Sequence, residues 1–187
     1  MNIFDFRLLC LAVFAAPVWV QAQEAGSEPA IERMDTPAPW VQTVSAARIP
    51  PLYQQQWRRA ENRAHCALVA LPNDSKAQQR GAKARAAVFH GGWAVAYDLP
   101  GKRSAYGVAG AGIEVDDASI QRWMGQRYWA DGSAVGYGLH GSGSGYLAYV
   151  RVAGEDCLYN VWSNISLAHL QQILADLRRV RRYSHLK

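Results

Sequence analysis

Cysteine is scarce in this chain, with three residues in 187, at positions 10, 66 and 157. A four-cysteine metal centre is therefore excluded. The histidines have no metal-binding spacing either: no His-Glu-x-x-His motif occurs, and no second local pair completes a site around His65 and Cys66. The sequence predicts neither a metal site nor another cofactor.

Long hydrophobic runs are also lacking. The apolar run at residues 8–20 is shorter than the roughly 20 residues that a membrane-spanning helix needs. Arg7 precedes it and Val20-Gln21-Ala22 closes it, a pattern typical of a cleaved secretory signal. Lipidation of Cys10 is disfavoured, because Leu8 and Leu9 precede it where a lipoprotein signal has a small residue. We expect a signal peptide over residues 1–22 and a periplasmic or secreted protein.

Removal of the signal leaves Cys66 and Cys157. In an oxidising compartment these two are expected to form a disulfide, which would contribute roughly 4 kcal/mol by restricting the unfolded chain. The alternative is a nucleophilic cysteine partnered by a histidine. It is disfavoured, because neither cysteine lies at a predicted helix N-terminus, where its pKa would be lowered.

Acidic residues are the minority, with 15 against 20 Lys and Arg, and the formal net charge is +5. Bases accumulate near the C-terminus: Arg178, Arg179, Arg181, Arg182 and Lys187. One interpretation is attraction to an anionic envelope surface; the other is a solvated helix end, whose dipole favours cations. Nucleic acid is not an expected partner, because the chain is exported and carries no recognised binding module.

The composition divides the mature chain in two. Residues 23–50 are acidic and rich in proline, which predicts an extended linker or arm that docks through Trp40. Residues 51–187 are expected to form a single globular domain. Its first half predicts a helix at 52–64, a short strand at 66–71, a strand at 85–97 interrupted by Gly91-Gly92, and a hairpin partner at 104–109.

In the second half, Asp116 and Asp117 are expected to begin a helix that continues through Tyr128. Three strands follow, at 134–140, 146–152 and 157–162. Ser166 is expected to cap a last helix, whose apolar stripe runs from Leu167 to Val180. The prediction is an α+β domain in which three helices pack on an antiparallel sheet of about five to six strands. This element order is similar to that of profilin-like and roadblock-like domains.

A loop rich in glycine and serine, residues 141–145, separates two of the predicted strands. It is neither a nucleophile elbow, for which the glycine spacing is wrong, nor a phosphate loop, because a strand follows it. The loop is similar to a Ser-Gly loop that exported lysozyme inhibitors use. With aromatic residues of the predicted strands it forms the candidate binding surface: Trp93, Tyr97, Tyr137, His140, Ser142, Ser144 and Tyr146.

These observations favour a non-catalytic binding domain of the cell envelope, such as an inhibitor or immunity-type partner of an envelope hydrolase. One alternative is a small hydrolase that uses His90 or His140 with Asp98, Asp131 or a serine. Another is an envelope accessory protein bound through a basic C-terminal helix. Because both faces of the predicted sheet carry large apolar groups, a homodimer through the second face is a further hypothesis.

Overall fold

The computed structural model describes residues 28–112 and 117–181. The expected signal peptide, Asp116, Arg182 and Lys187 lie outside these ranges. The strands are β1 (Ala30–Met34), β2 (Thr43–Val44), β3 (Val69–Ala70), β4 (Lys83–Ala86), β5 (Trp93–Leu99), β6 (Lys102–Gly112), β7 (Gly125–Trp129), β8 (Ala134–Leu139), β9 (Tyr146–Arg151), β10 (Leu158–Ser163) and β11 (Arg178–Val180). The α-helices are α1 (Pro51–Arg59), α2 (Ala118–Gln121) and α3 (Leu167–Asp176), and 3-10 turns lie at Pro39–Val41, Ala46–Arg48 and Glu61–Ala64.

The described strands form one large sheet and one small sheet. The large sheet has eight strands in the order β1-β7-β8-β9-β10-β6-β5-β4, and the small sheet has the order β2-β11-β3. The domain is therefore α+β, as expected. The large sheet is mixed rather than antiparallel, because β1 runs parallel to β7. The prediction of about five to six antiparallel strands was wrong, and the profilin-like order is not confirmed.

Two of the additional strands have clear origins. β1 comes from the acidic segment before residue 51 and adds an edge to the large sheet. The predicted single strand at 85–97 is instead a hairpin of β4 and β5, in which Ala86 lies opposite Val95. Gly91, with φ of 71°, lies in the turn of this hairpin. The glycine pair therefore reverses the chain rather than forming a bulge within one strand.

The predicted helix through Tyr128 was also wrong, because α2 ends at Gln121 and β7 begins at Gly125. The residues of β7 satisfy their backbone groups between β1 and β8 instead. The Arg127 guanidinium also pairs with the Glu32 carboxylate, at 2.7 Å, on the neighbouring strand β1. These partners are remote in sequence, and they override a helical spacing of apolar residues.

The last helix begins as predicted and ends earlier. The Ser166 hydroxyl accepts a hydrogen bond from the His169 backbone N–H at 3.1 Å, which confirms the N-cap. α3 ends at Asp176, and the Arg178 guanidinium donates to the carbonyl of Ala175 at 2.7 Å. Residues 178–180 form the central strand of the small sheet. The expected basic C-terminal helix is therefore a basic strand in the described residues.

One face of the large sheet carries the core. Alternate residues of its strands face α1, α3 and the small sheet, and the largest fully buried side chains include Trp40, Trp93, Tyr53, Tyr106 and Tyr159. The opposite face carries many small residues and is partly covered by α2. On this face the ring of Trp123, just after α2, contacts the ring of Tyr149 on β9 edge-on, with the ring centres 5.5 Å apart. Tyr149 also lies under the Arg122 guanidinium, 4.8 Å from the ring centre.

The predicted disulfide joins Cys66 to Cys157, with their Cα atoms 5.0 Å apart and both residues fully buried. Beside it the Glu155 side chain is only 6% exposed and forms an ion pair with Arg179. The Glu155 carboxylate also accepts hydrogen bonds from the Ala67 backbone N–H, at 3.2 Å, and from the Tyr159 hydroxyl. This carboxylate connects β10 and β11 to the segment that precedes β3.

Candidate functional site

The most exposed of the predicted site residues lie in the loop between β8 and β9. His140, Ser142 and Ser144 are all exposed there. The loop is closed at its base, because the His140 backbone N–H donates to the Gly145 carbonyl at 2.8 Å. The two strands continue the closure, with Leu139 opposite Tyr146. The loop therefore projects as a narrow tip from a paired base.

A second contact holds the base of this loop. A Cβ atom on Gly145 would lie 2.4 Å from the Asn164 side-chain oxygen, so only glycine permits this approach. Asn164 is itself fixed, since its backbone N–H donates to the Ala105 carbonyl at 2.7 Å and its amide donates to the Ser104 carbonyl at 2.9 Å. β6 and the end of β10 thus support the loop from one side.

Exposed apolar side chains lie at the same end of the large sheet. Leu139 is 59% exposed at the end of β8, and Met124 and Ile165 are exposed just before β7 and just after β10. The strand register places the beginning of β7 and the ends of β8 and β10 at the end of the sheet that carries the loop. We call this surface the loop tip: His140, Ser142, Ser144, Leu139, Met124 and Ile165.

Three of the predicted surface residues are core residues instead. Trp93, Tyr97 and Tyr137 are buried, so they offer no surface to a partner, and Tyr146 is half-buried at the base of the loop. The Tyr97 ring stacks on Tyr106 with the ring centres 4.6 Å apart, and burial raises the pKa of Tyr97 to about 12. Side-chain alternation along β5 correctly placed Trp93 and Tyr97 on the same face. That face is buried, because α1 packs on it.

The two histidines of the hydrolase hypothesis lie far apart. His90 precedes β5 at one end of the large sheet, and His140 follows β8 at the other end. The expected acids have other partners: the Asp98 carboxylate accepts from the Ser104 backbone N–H at 2.6 Å and pairs with Arg85 at 2.8 Å. The Ser104 hydrogen bond, with the Arg85 charge, lowers the pKa of Asp98. Asp131 accepts from the Ser133 hydroxyl at 3.0 Å.

A different serine and histidine do meet, in the core. The Ser163 hydroxyl lies 2.9 Å from His169 Nδ1, and His169 Nε2 lies 2.8 Å from the Ala77 carbonyl oxygen. A carbonyl only accepts, so Nε2 carries the proton and Nδ1 accepts from Ser163. Burial lowers the pKa of His169, and both side chains are buried. The pair joins the loop around Ala77 to α3, and its place in the core makes it a structural contact.

Two cavities lie at the end of the sheet opposite the loop tip. One, of about 500 Å³, is next to the disulfide and is lined by residues that include His65, Glu155 and Arg179. The other, of about 580 Å³, is lined by residues that include Glu61, Asn62 and His90. Residues 28–112 and 117–181 contain no cluster of three metal-ligating side chains with the geometry to hold a metal ion.

No family model, curated protein or solved structure matches the chain. Within the described residues, no helix has the length and apolar character required to cross a membrane. The Cys66–Cys157 disulfide is compatible with an extracellular location.

Proposed function

We propose that this protein is a non-catalytic binding domain of the cell envelope, and that the loop tip contacts its partner. The observation that supports the proposal is an exposed polar loop on a firmly paired base, with exposed apolar side chains beside it. Binding residues are often carried on loops that a rigid scaffold positions. The same arrangement supports a protein partner, because interfaces combine apolar anchors with a polar rim.

The chemistry of the loop tip suits a concave partner surface. The His140 imidazole and the hydroxyls of Ser142 and Ser144 can each donate a hydrogen bond and accept one. Leu139, 59% exposed, supplies an apolar anchor next to these polar groups. A narrow loop of this kind fits a cleft, and an active-site cleft of an envelope hydrolase is the partner surface that we propose. The domain would then act as an inhibitor or immunity-type partner.

The expected secretory signal and the buried disulfide support a location in the periplasm or outside the cell. Periplasmic extract is therefore the material in which to search for the partner. The oxidised mature protein is immobilised, and the captured protein is identified and tested for hydrolase activity. We expect a stoichiometric complex in which that activity is inhibited.

The variant Ser142→Arg/Ser144→Arg tests the surface, because two long charged side chains would obstruct a fitted loop. We expect its affinity for the captured protein to fall at least about 100-fold, as for the loss of an interface hot spot. Gln55→Arg/Asn73→Arg serves as the control, because it adds the same two charges at exposed positions outside the loop. A complex that tolerates the loop variant, or a partner whose activity is unaffected, would contradict the proposal.

A further inference from the structure

Bases outnumber acids in residues 51–90 as well as at the C-terminus. Residues 51–90 contain seven Arg and Lys but only two acidic residues, a net charge of +5, which equals the formal charge of the whole chain. The bases are Arg58, Arg59, Arg63, Lys76, Arg80, Lys83 and Arg85. This excess of bases, between α1 and the β4–β5 turn, is separate from the one at residues 178–187.

An apolar tip projects from that same segment. Val88 is 101% exposed and Phe89 is 37% exposed, both in the turn between β4 and β5. Transfer of such side chains from water to an apolar environment is favourable. Adjacent exposed apolar residues at the end of a hairpin indicate a surface that becomes covered by another phase or molecule.

A hydrogen bond holds the Val88–Phe89 tip close to three of these arginines. The Asn62 backbone N–H donates to the Gly91 carbonyl at 3.1 Å, which fixes the turn after α1 against the hairpin. Arg63 adjoins that contact, and its guanidinium donates to the Arg58 carbonyl at 3.4 Å. We call Arg58, Arg59 and Arg63 the basic corner; all three are exposed.

Few opposing charges lie at this corner. Glu61 is next to it: its Oε2 would lie 3.7 Å from a Cβ atom on Gly91. Arg85 on β4 is already neutralised by Asp98. Arg58, Arg59 and Arg63 have no ion pair within residues 28–112 and 117–181. The corner therefore retains a net positive charge beside two exposed apolar side chains.

We propose that the basic corner and the Val88–Phe89 tip dock on an anionic phospholipid surface. The two apolar side chains would enter the boundary between headgroups and acyl chains, and the arginines would face the lipid phosphates. A lipid surface accommodates both features at once, because its phosphates attract the bases and the boundary between headgroups and acyl chains takes up an apolar turn. The corner lies at the end of the sheet opposite the loop tip, so membrane docking leaves the proposed partner site free.

Vesicle co-sedimentation tests this proposal on the mature, oxidised protein. Vesicles of phosphatidylcholine alone are compared with vesicles that also contain phosphatidylglycerol, at low and at high salt. We expect binding only to the anionic vesicles and a large decrease at high salt, because salt screens exposed charges. Inorganic phosphate at the same ionic strength should not compete, since it offers no apolar phase.

Two variants separate the charge from the tip. For Arg58→Gln/Arg59→Gln/Arg63→Gln we expect about 100-fold weaker binding, at roughly fivefold for each base near a membrane. Its matched control is Arg33→Gln/Arg80→Gln/Arg103→Gln, which removes the same charge at exposed positions outside the basic corner. For Val88→Ser/Phe89→Ser we expect at least about tenfold weaker binding, and the matched control is Met124→Ser/Leu139→Ser. Circular dichroism confirms folding of all four.

Equal binding to neutral and anionic vesicles, or no binding to either, would overturn the proposal. So would equal losses in the corner variant and its charge control, because the effect would then reflect net charge alone. Competition by inorganic phosphate would assign the arginines to a soluble anion instead. Failure of any kind here leaves the partner site at the loop tip untouched, because that site is tested with a different variant and a different ligand.

Discussion

The Trp162 ring lies directly over Gly107. A Cβ atom at position 107 would be 2.2 Å from Trp162 Cζ2 and 2.6 Å from the Val95 carbonyl oxygen. The Trp162 indole is fixed there by its N–H, which donates to the Ser104 carbonyl at 3.3 Å. On the face of the large sheet opposite the core, the Trp162 ring of β10 therefore covers Gly107 of β6, next to β5.

Gly107→Ala is expected to lower the free energy of unfolding by more than about 2 kcal/mol, because the added methyl group meets both a fixed ring and a backbone oxygen. Urea denaturation followed by circular dichroism measures the change. Gly143→Ala is the control, since its Cβ atom would have no neighbour closer than 3.8 Å. Equal stability of the two variants would contradict the packing described for Trp162.

The buried His169 makes stability depend on pH. Burial lowers the pKa of His169 below its ordinary 6.5. As the pH falls through about 6.5, the unfolded chain takes up the proton before the folded protein does. The free energy of unfolding should therefore decrease on acidification from about pH 7.5 to pH 5.5. His169→Gln should be less stable at pH 7.5 and show a smaller decrease.

Urea denaturation across this pH range measures the effect of His169. His140→Gln serves as the control for the loss of a histidine, because His140 is exposed in the loop tip and lacks the buried contacts of His169. If His169→Gln retained the full pH dependence, the neutral, hydrogen-bonded state of His169 would be the wrong assignment.

The buried tyrosines should resist titration. Burial raises the pKa of Tyr97 to about 12 and that of Tyr53 well above its usual value. In the unfolded chain both titrate near 10, so the folded protein loses stability as the pH rises above about 10. Burial raises the pKa of Tyr106 as well, so absorbance at about 295 nm should show at least three tyrosines that ionise above the ordinary range. Tyr97→Phe should remove one of these, and a titration in which all tyrosines ionise near pH 10 would contradict their burial.

Loss of the disulfide should be costly. Cys66 and Cys157 are 91 residues apart, so the crosslink restricts a long loop in the unfolded chain. Cys66→Ala/Cys157→Ala is expected to lose roughly 4–5 kcal/mol of unfolding free energy on the chain-entropy account. Comparison of the oxidised protein, the reduced protein and the double variant gives the value. A loss below about 1 kcal/mol in both altered forms would show that the bond adds little beyond packing.

The parts of the fold that local chemistry determines could be predicted from the sequence. Ser166 caps α3 as expected, and the β8–β9–β10 meander follows from alternation and short connections. The parts that remote partners determine could not. β1 becomes a strand only because β7 lies beside it, and residues 178–180 leave the helical pattern because β2 and β3 accept them as a central strand.

The candidate site also has features that local sequence determines and features that depend on remote packing. Exposure of His140, Ser142 and Ser144 follows from a glycine-rich loop, and it was predicted. The burial of Trp93 and Tyr97 depends on which face α1 covers, and alternation alone does not contain that information. The bases of residues 51–90 did not indicate a surface in the sequence, because the position of Arg58, Arg59 and Arg63 beside Val88 and Phe89 depends on the hydrogen bond between Asn62 and Gly91.

The proposed binding of the loop tip to a protein of the cell envelope can be measured by isothermal titration. The captured envelope hydrolase is titrated with the mature protein and with its Ser142→Arg/Ser144→Arg variant. We expect a one-to-one complex with the unaltered protein and at least about 100-fold weaker binding by the variant. Equal affinity of the two proteins for the same hydrolase would contradict the proposal.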